Sequence, residues 1–263
     1  MDAIGVFDSG VGGFTVVSAL RRRLPQESIL YLGDTARLPY GSKSPETVLR
    51  YTRRNVEFLV ERGVKAVVVA CNTASALALP HLPEEVVPVW GVIEPGARKA
   101  AAVSRGRVGV IATEATVRSD AYPRALRAVR PDLEILSRAC PLFVPLVEEG
   151  WHDDPVTEQV AERYLRPLLD AGVDTLVLGC THYPLLVPVL ERVAGPGVTL
   201  VDSAEAVAEV VAEGLAERGM AAAGQEPSHR LCVTDAGESF HRLAGKILGD
   251  PDVPLEWVEV VGA

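Results

Sequence analysis

The sequence predicts an α/β fold of two pseudo-symmetric lobes, each a mainly parallel sheet flanked by helices, with a site in the cleft between them. Three observations carry that expectation. Short apolar runs alternate with longer helical patterns along nearly the whole chain, which is the pattern of strand–helix–strand units. Most of those runs are continuous in Val, Ile and Leu, as suits strands covered on both faces. Finally, residues 59–71 are echoed by residues 168–180 at one offset, 180 minus 71, or 109 positions.

Taken in order, strands are expected at 3–7, 28–32, 65–70 and 86–90, then at 107–111, 133–136, 175–178 and 198–201. Gly5-Val6 and Gly109-Val110 mark the opening strand of each half, and Val67-Val68-Val69-Ala70 and Leu176-Val177-Leu178-Gly179 mark the echoed ones. Two closing strands are expected at 230–234 and 255–260. Amphipathic stretches at 45–62, 117–129, 156–171 and 204–218 supply helices between them. The turn signals of Ile93-Glu94-Pro95-Gly96 place a boundary there. The first lobe is expected over 1–94 and again from about 205 to 263, since the closing strands otherwise lack a sheet; the second spans about 95–204.

Composition narrows the function classes. A chain of 263 residues buries enough surface to need no disulfide or metal staple. With 26 Lys+Arg against 35 Asp+Glu, the net charge of −9 gives no electrostatic reason to expect nucleic acid or an anionic membrane as partner. No run approaches the roughly 20 apolar residues that span a bilayer. The N-terminus meets Asp8 before a signal sequence could develop. A cytoplasmic protein is expected, with Cys71, Cys140, Cys180 and Cys232 reduced. Their spacing holds no C-x-x-C pair and no zinc-type histidine cluster, so no metal site is expected.

Those thiols are either core filler or chemistry. Cys71 and Cys180 each follow an apolar strand and precede small polar residues, Asn72-Thr73 in one case and Thr181-His182 in the other. A cysteine at such a strand-to-helix junction sits near backbone N–H groups and a helix N-terminus, which favour the thiolate. Cys140 and Cys232 lack that setting and read as structural. The loop Asp8-Ser9-Gly10-Val11-Gly12-Gly13 imitates a phosphate loop, but it lacks both the dinucleotide glycine spacing and a Gly-Lys-Ser/Thr. It reads better as a tight turn bringing Asp8 and Ser9 to the sheet edge. The turn-rich segment Asp34–Ser42 is either a plain connection or a carboxylate-binding loop; Glu148 and Glu149 are ordinarily surface charges.

Two opposed thiols on one substrate carbon permit a specific reaction. One thiolate removes a proton while the other thiol supplies one from behind, which inverts the centre. Asp8 near one thiol and His182 near the other suit the role of biasing each protonation state.

At this point the chain resembles a family, the cofactor-independent glutamate racemases. The matching segments include Phe7-Asp8-Ser9-Gly10-Val11-Gly12-Gly13, Gly33-Asp34-Thr35-Ala36-Arg37-Leu38-Pro39-Tyr40-Gly41 and Ala70-Cys71-Asn72-Thr73-Ala74-Ser75. Further on come Cys140-Pro141-Leu142-Phe143-Val144-Pro145-Leu146-Val147-Glu148 and Leu178-Gly179-Cys180-Thr181-His182-Tyr183-Pro184-Leu185. The resemblance implies that Cys71 and Cys180 are the acid/base pair, assisted by Asp8, Glu148 and His182, with Glu149 the alternative to Glu148 if the register shifts by one. It places Asp8, Ser9, Pro39, Tyr40, Gly41, Ser42, Asn72, Thr73, Thr181 and His182 around a glutamate substrate, beside both cysteines. It also implies no pyridoxal phosphate, a homodimer, and supply of D-glutamate for peptidoglycan. Aspartate racemases share the paired cysteines, but their second segment tends to continue Cys-Thr-Glu rather than Cys180-Thr181-His182.

Overall fold

A computed structural model of the chain describes residues 2–82, 86–224 and 226–260; Met1 and residues 261–263, the outer ends of the expected first lobe, lie outside them. Strands β1 (Ile4–Asp8), β2 (Ile29–Gly33), β3 (Ala66–Val69) and β4 (Val89–Gly91) begin the first sheet. Strands β5 (Arg107–Ala112), β6 (Glu134–Ala139), β7 (Thr175–Gly179) and β8 (Thr199–Asp202) make the second. The chain then returns, and β9 (His229–Val233) and β10 (Glu256–Trp257) extend the first sheet beyond β2. All pairings are parallel, in the orders β10-β9-β2-β1-β3-β4 and β6-β5-β7-β8.

The echoed segments occupy equivalent places. Ala66 of β3 lies opposite Ile4 of β1, and Thr175 of β7, at the same offset in the echo, lies opposite Val108 of β5. Strands β1, β2, β3 and β7 are buried along their whole length, covered on both faces, which explains their unbroken apolar runs. Along β1, Ile4 and Val6 enter one core while Phe7 enters another; Val68 and then Val67 and Val69 divide the same way in β3. The core shared by Ile4, Val6 and Val68 runs on into the second lobe through Ile111, Leu176 and Leu178. Helix Pro45–Glu61 starts where Ser44 accepts the N–H of Thr47 and Pro45 takes the first turn, and helix Ser203–Glu217 starts where Asp202 accepts that of Ala204.

Four expected elements differ, among them the sixth strand, which runs on from the expected 133–136 to Glu134–Ala139. The fourth strand begins at Val89 rather than 86: Pro88 has no N–H to donate and Val86 is 92% exposed, so neither fits a buried ladder. The last strand shrinks from 255–260 to Glu256–Trp257, an exposed edge that among the described residues pairs only with β9. The helix expected at 117–129 is two helices, Glu114–Arg118 and Ala121–Val129, with Asp120 between them at φ 55°. Pro123 explains the break, because its ring would clash with the carbonyl of Ser119 in a continuous helix and it lacks the N–H to bond it. Restarting at Ala121 places Pro123 in a first turn, where the missing N–H costs nothing.

Candidate active site

In each sheet the topology reverses between the first strand and its third-strand neighbour, β1/β3 and β5/β7. Loops leaving strands at such a point diverge and open a crevice at the carboxyl edge. Asp8 ends β1, Ser9 follows it, and Cys71 stands next door as the N-cap of helix Asn72–Leu77. In the second lobe Thr113 follows β5 and Cys180 follows β7. The two crevices face each other across one cavity of about 30 Å³. It is lined by Ser9, Pro39, Tyr40, Gly41, Cys71, Asn72 and Thr73 from the first lobe, and by Glu148, Cys180, Thr181 and His182 from the second.

Two expected residues lie elsewhere. Asp8 is fully buried beneath the cavity rather than on its wall, and Ser42 is exposed outside it. Conversely, Gly10, Leu38, Thr113 and Val144 line the cavity without having been expected there. Thr113 had a signal: by the strand register it is the second-lobe counterpart of Ser9. Its hydroxyl lies 3.0 Å from that of Thr73 across the lobes.

The glycine loop folds around Asp8. Gly10 and Gly13 both donate their N–H to Asp8 Oδ2, at 2.9 and 3.0 Å, and the Thr181 hydroxyl donates to Oδ1 at 3.3 Å. The donors that a phosphate loop would offer a nucleotide are therefore taken by the protein's own carboxylate. Burial pushes the Asp8 carboxyl up to about 6, against the downward pull of His182 and those hydrogen bonds.

The thiols have different surroundings. Cys71 Sγ donates to Ser9 Oγ at 3.5 Å. The junction leads one to expect a stabilised thiolate at Cys71, and this expectation fails. Burial, then the charge of Asp8, push its thiol up to about 12, outweighing the six-residue helix it caps. Cys180 instead sits 3.8 Å from His182 Nδ1, whose Nε2 lies 3.2 Å from Glu148 Oε1. Burial alone would lower the basicity of His182, but the bonds to Cys180 and Glu148 outweigh it and raise the imidazole to about 10. Glu148, at the end of helix Phe143–Glu148, is the residue that reaches His182; Glu149 caps that helix and points into solvent. A protonated imidazole beside Sγ supplies the positive charge that a sulfur anion needs. The arrangement thus favours a neutral thiol at Cys71 and sets an imidazolium beside Cys180.

The lobes touch closely around the cavity. A Cβ on Gly12 would stand 2.4 Å from Thr181 Oγ1 and 2.8 Å from the Thr181 carbonyl carbon, and one on Gly41 would stand 2.7 Å from Thr113 Cβ. Only a residue without a side chain fits at either contact.

Two parallel lobes closing at their switch points over a small cavity that both cysteines line define a class of α/β enzyme that encloses its substrate between domains. Comparisons with known proteins make this particular. The family model described as Asp/Glu/Hydantoin racemase matches residues 15–211. The chain is 55% identical to a glutamate racemase of Geobacter metallireducens, over 94% of this chain and 93% of that protein. Among solved structures it is similar to a glutamate racemase isoform of Bacillus anthracis, with a TM-score of 0.94 and 42% identity over 98% of this chain and 97% of that one. It is also similar to a glutamate racemase of Francisella tularensis in complex with D-glutamate, with a TM-score of 0.92 and 36% identity over 98% of both chains. A Picrophilus torridus aspartate racemase, 18% identical with a TM-score of 0.57 over 81% of this chain and 94% of that one, shares the fold. The chain belongs to the Asp/Glu/hydantoin racemase family and is an isomerase of that family.

Proposed function

We propose that this chain interconverts L- and D-glutamate by a two-base proton transfer at Cα, using Cys71 and Cys180 and no pyridoxal phosphate. The observation that carries the reading is the pair of thiols, one from each sheet, on a single cavity lined with hydrogen-bond donors. The 55% identity to a glutamate racemase, and the D-glutamate complex of a 36% identical relative, support glutamate as the substrate. The second cysteine segment, Cys180-Thr181-His182, supports glutamate over aspartate.

In the ligand-free site Cys71 carries its proton and Cys180 faces an imidazolium. The Cα–H bond of L-glutamate breaks toward Cys180 Sγ, and the Cys71 thiol proton is delivered to the opposite face, giving D-glutamate. The reverse direction exchanges the two roles. Burial, reinforced by the charge of Asp8, keeps Cys71 protonated, and Glu148 supports the His182 imidazolium beside Cys180. Negative charge developing at the substrate carboxylate is met by side-chain and backbone donors, among them Ser9, Asn72, Thr73 and Thr181. A cavity of about 30 Å³ has room for a water or two, not an amino acid. The lobes or their loops must therefore part at the Gly12 and Gly41 contacts to load substrate. Supply of D-glutamate for peptidoglycan, in the cytoplasm and as a homodimer, is the biological setting that the family resemblance supports. No helix among the described residues is long and apolar enough to cross a membrane.

The test is polarimetry on purified protein with each enantiomer and no added cofactor. Both enantiomers should converge to the racemate while aspartate barely turns over. Because enantiomers are equal in free energy in water, kcat/KM must match in both directions, so Cys71→Ser and Cys180→Ser should each depress both directions alike. Absence of turnover, dependence on added pyridoxal phosphate, or full activity in either variant would refute the proposal.

A further inference from the structure

Asn72 and Tyr122 meet across the cleft. Asn72 belongs to the helix following β3 in the first lobe, and Tyr122 to the first turn of the helix that Pro123 forces to restart in the second. Both are buried, at 2% and 1% exposure. Tyr122 Oη donates to Asn72 Oδ1 at 2.7 Å, and the Ser203 side chain, where the chain leaves β8, is a hydrogen-bonding neighbour of the same phenol. Asn72 Nδ2 is buried with no hydrogen-bond partner among the described residues, although Asn72 lines the cavity. Leaving a buried amide NH₂ unpaired is costly, so a fold that keeps one at a cavity wall keeps it for a guest.

A primary amide can turn over about its last bond, exchanging its oxygen and nitrogen ends. At Asn72 the Tyr122 hydroxyl decides between them. With the phenol donating to Oδ1, Asn72 presents its oxygen to Tyr122 and keeps its unpaired NH₂ for the cavity. We infer that Tyr122 is a positioning residue of the second lobe that fixes the Asn72 amide as a carboxylate donor, completing the first lobe's binding wall only when the lobes are closed. The inference rests on the proposed glutamate site. Tyr122 touches no substrate in this account; it acts through Asn72.

A donor to a carboxylate present before and during proton transfer supports binding more than the chemical step, so its loss should appear in KM. The experiment is steady-state kinetics on wild type, Tyr122→Phe, Asn72→Ala and the double variant, with titration calorimetry of D-glutamate on the same four proteins. Tyr122→Phe should raise KM about tenfold and change kcat by less than about threefold, with the melting temperature nearly unchanged. Asn72→Ala should raise KM at least as much, and the double variant should match Asn72→Ala, since the phenol then has nothing to orient. Additive losses, or an unchanged KM in Tyr122→Phe, overturn the inference. If Tyr122→Phe folds poorly, Ser203→Ala provides the second variant: it should raise KM less, and only while Asn72 is present. A wild type that binds glutamate without racemising it overturns the proposed function alone, and the calorimetric Kd values then read the Tyr122–Asn72 coupling. A wild type that does not bind glutamate overturns both.

Discussion

Asp8→Asn separates what the buried carboxylate costs from what it does. Asp8 is fully buried, and its carboxyl is pushed from 3.8 to about 6, mainly by loss of solvation. A folded-state pKa above the unfolded one means that the native protein binds more protons than the unfolded chain between those values. The contribution to stability is therefore intact below pH 3.8 and is lost as pH rises through 6. Raising a carboxyl pKa by one costs its charged form about 1.4 kcal/mol, so holding Asp8 ionised at pH 8 costs about 3 kcal/mol. At pH 5 the cost is about 1.5 kcal/mol. An asparagine can keep the geometry. Its oxygen accepts from Gly10 and Gly13, and its NH₂ donates to the Thr181 hydroxyl, which can also accept. Urea unfolding should show Asp8→Asn more stable than wild type at pH 8 by up to about 3 kcal/mol, with the gain roughly halved at pH 5. Racemisation should fall in the same variant, because the Asp8 charge that adds to burial in holding the Cys71 proton is gone. A variant no more stable than wild type, or equally stabilised at both pH values, would refute this reading of Asp8.

The remaining predictions concern the second thiol. Brief iodoacetamide treatment followed by peptide mass mapping should find Cys180 modified before Cys71, since burial and Asp8 hold the Cys71 thiol protonated while His182 faces Cys180; His182→Ala should erase the preference, and faster labelling of Cys71 would contradict it. Glu148→Gln should lower kcat/KM about ten- to a hundredfold by weakening a charge-assisted hydrogen bond of about 1.5–3 kcal/mol. Glu149→Gln should leave it within about twofold of wild type, because that side chain is exposed; the reverse ranking would exchange their roles.

The strands that carry the site were legible because they are buried on both faces. The runs around Val67–Val69 and Leu176–Leu178 show no solvent alternation, and their repetition 109 positions apart predicted two equivalent crevices. The weakest elements were those decided by one residue or by an edge: Pro88 delays β4, Pro123 breaks a helix, and β10 pairs with a single strand among the described residues. Contacts across the lobes were harder still. Thr113 against Thr73 and Tyr122 against Asn72 join residues 40 and 50 positions apart, and no local pattern encodes them. The state of Cys71 was misread for a related reason. Its helix N-terminus is a local feature, whereas burial and the Asp8 charge are tertiary and larger.

The central claim, that two thiols work on opposite faces of one carbon, is tested most directly by a single-turnover experiment in D₂O. L-glutamate is mixed with excess enzyme, quenched early, and each enantiomer analysed by mass spectrometry. A proton taken by Cys180 returns only to the face it left, while Cys71 delivers a solvent-derived deuteron to the other. The account predicts D-glutamate carrying one deuterium at Cα and recovered L-glutamate carrying essentially none. Deuterium shared equally between both enantiomers, or D-glutamate retaining the original hydrogen, would mean a single base and would contradict it.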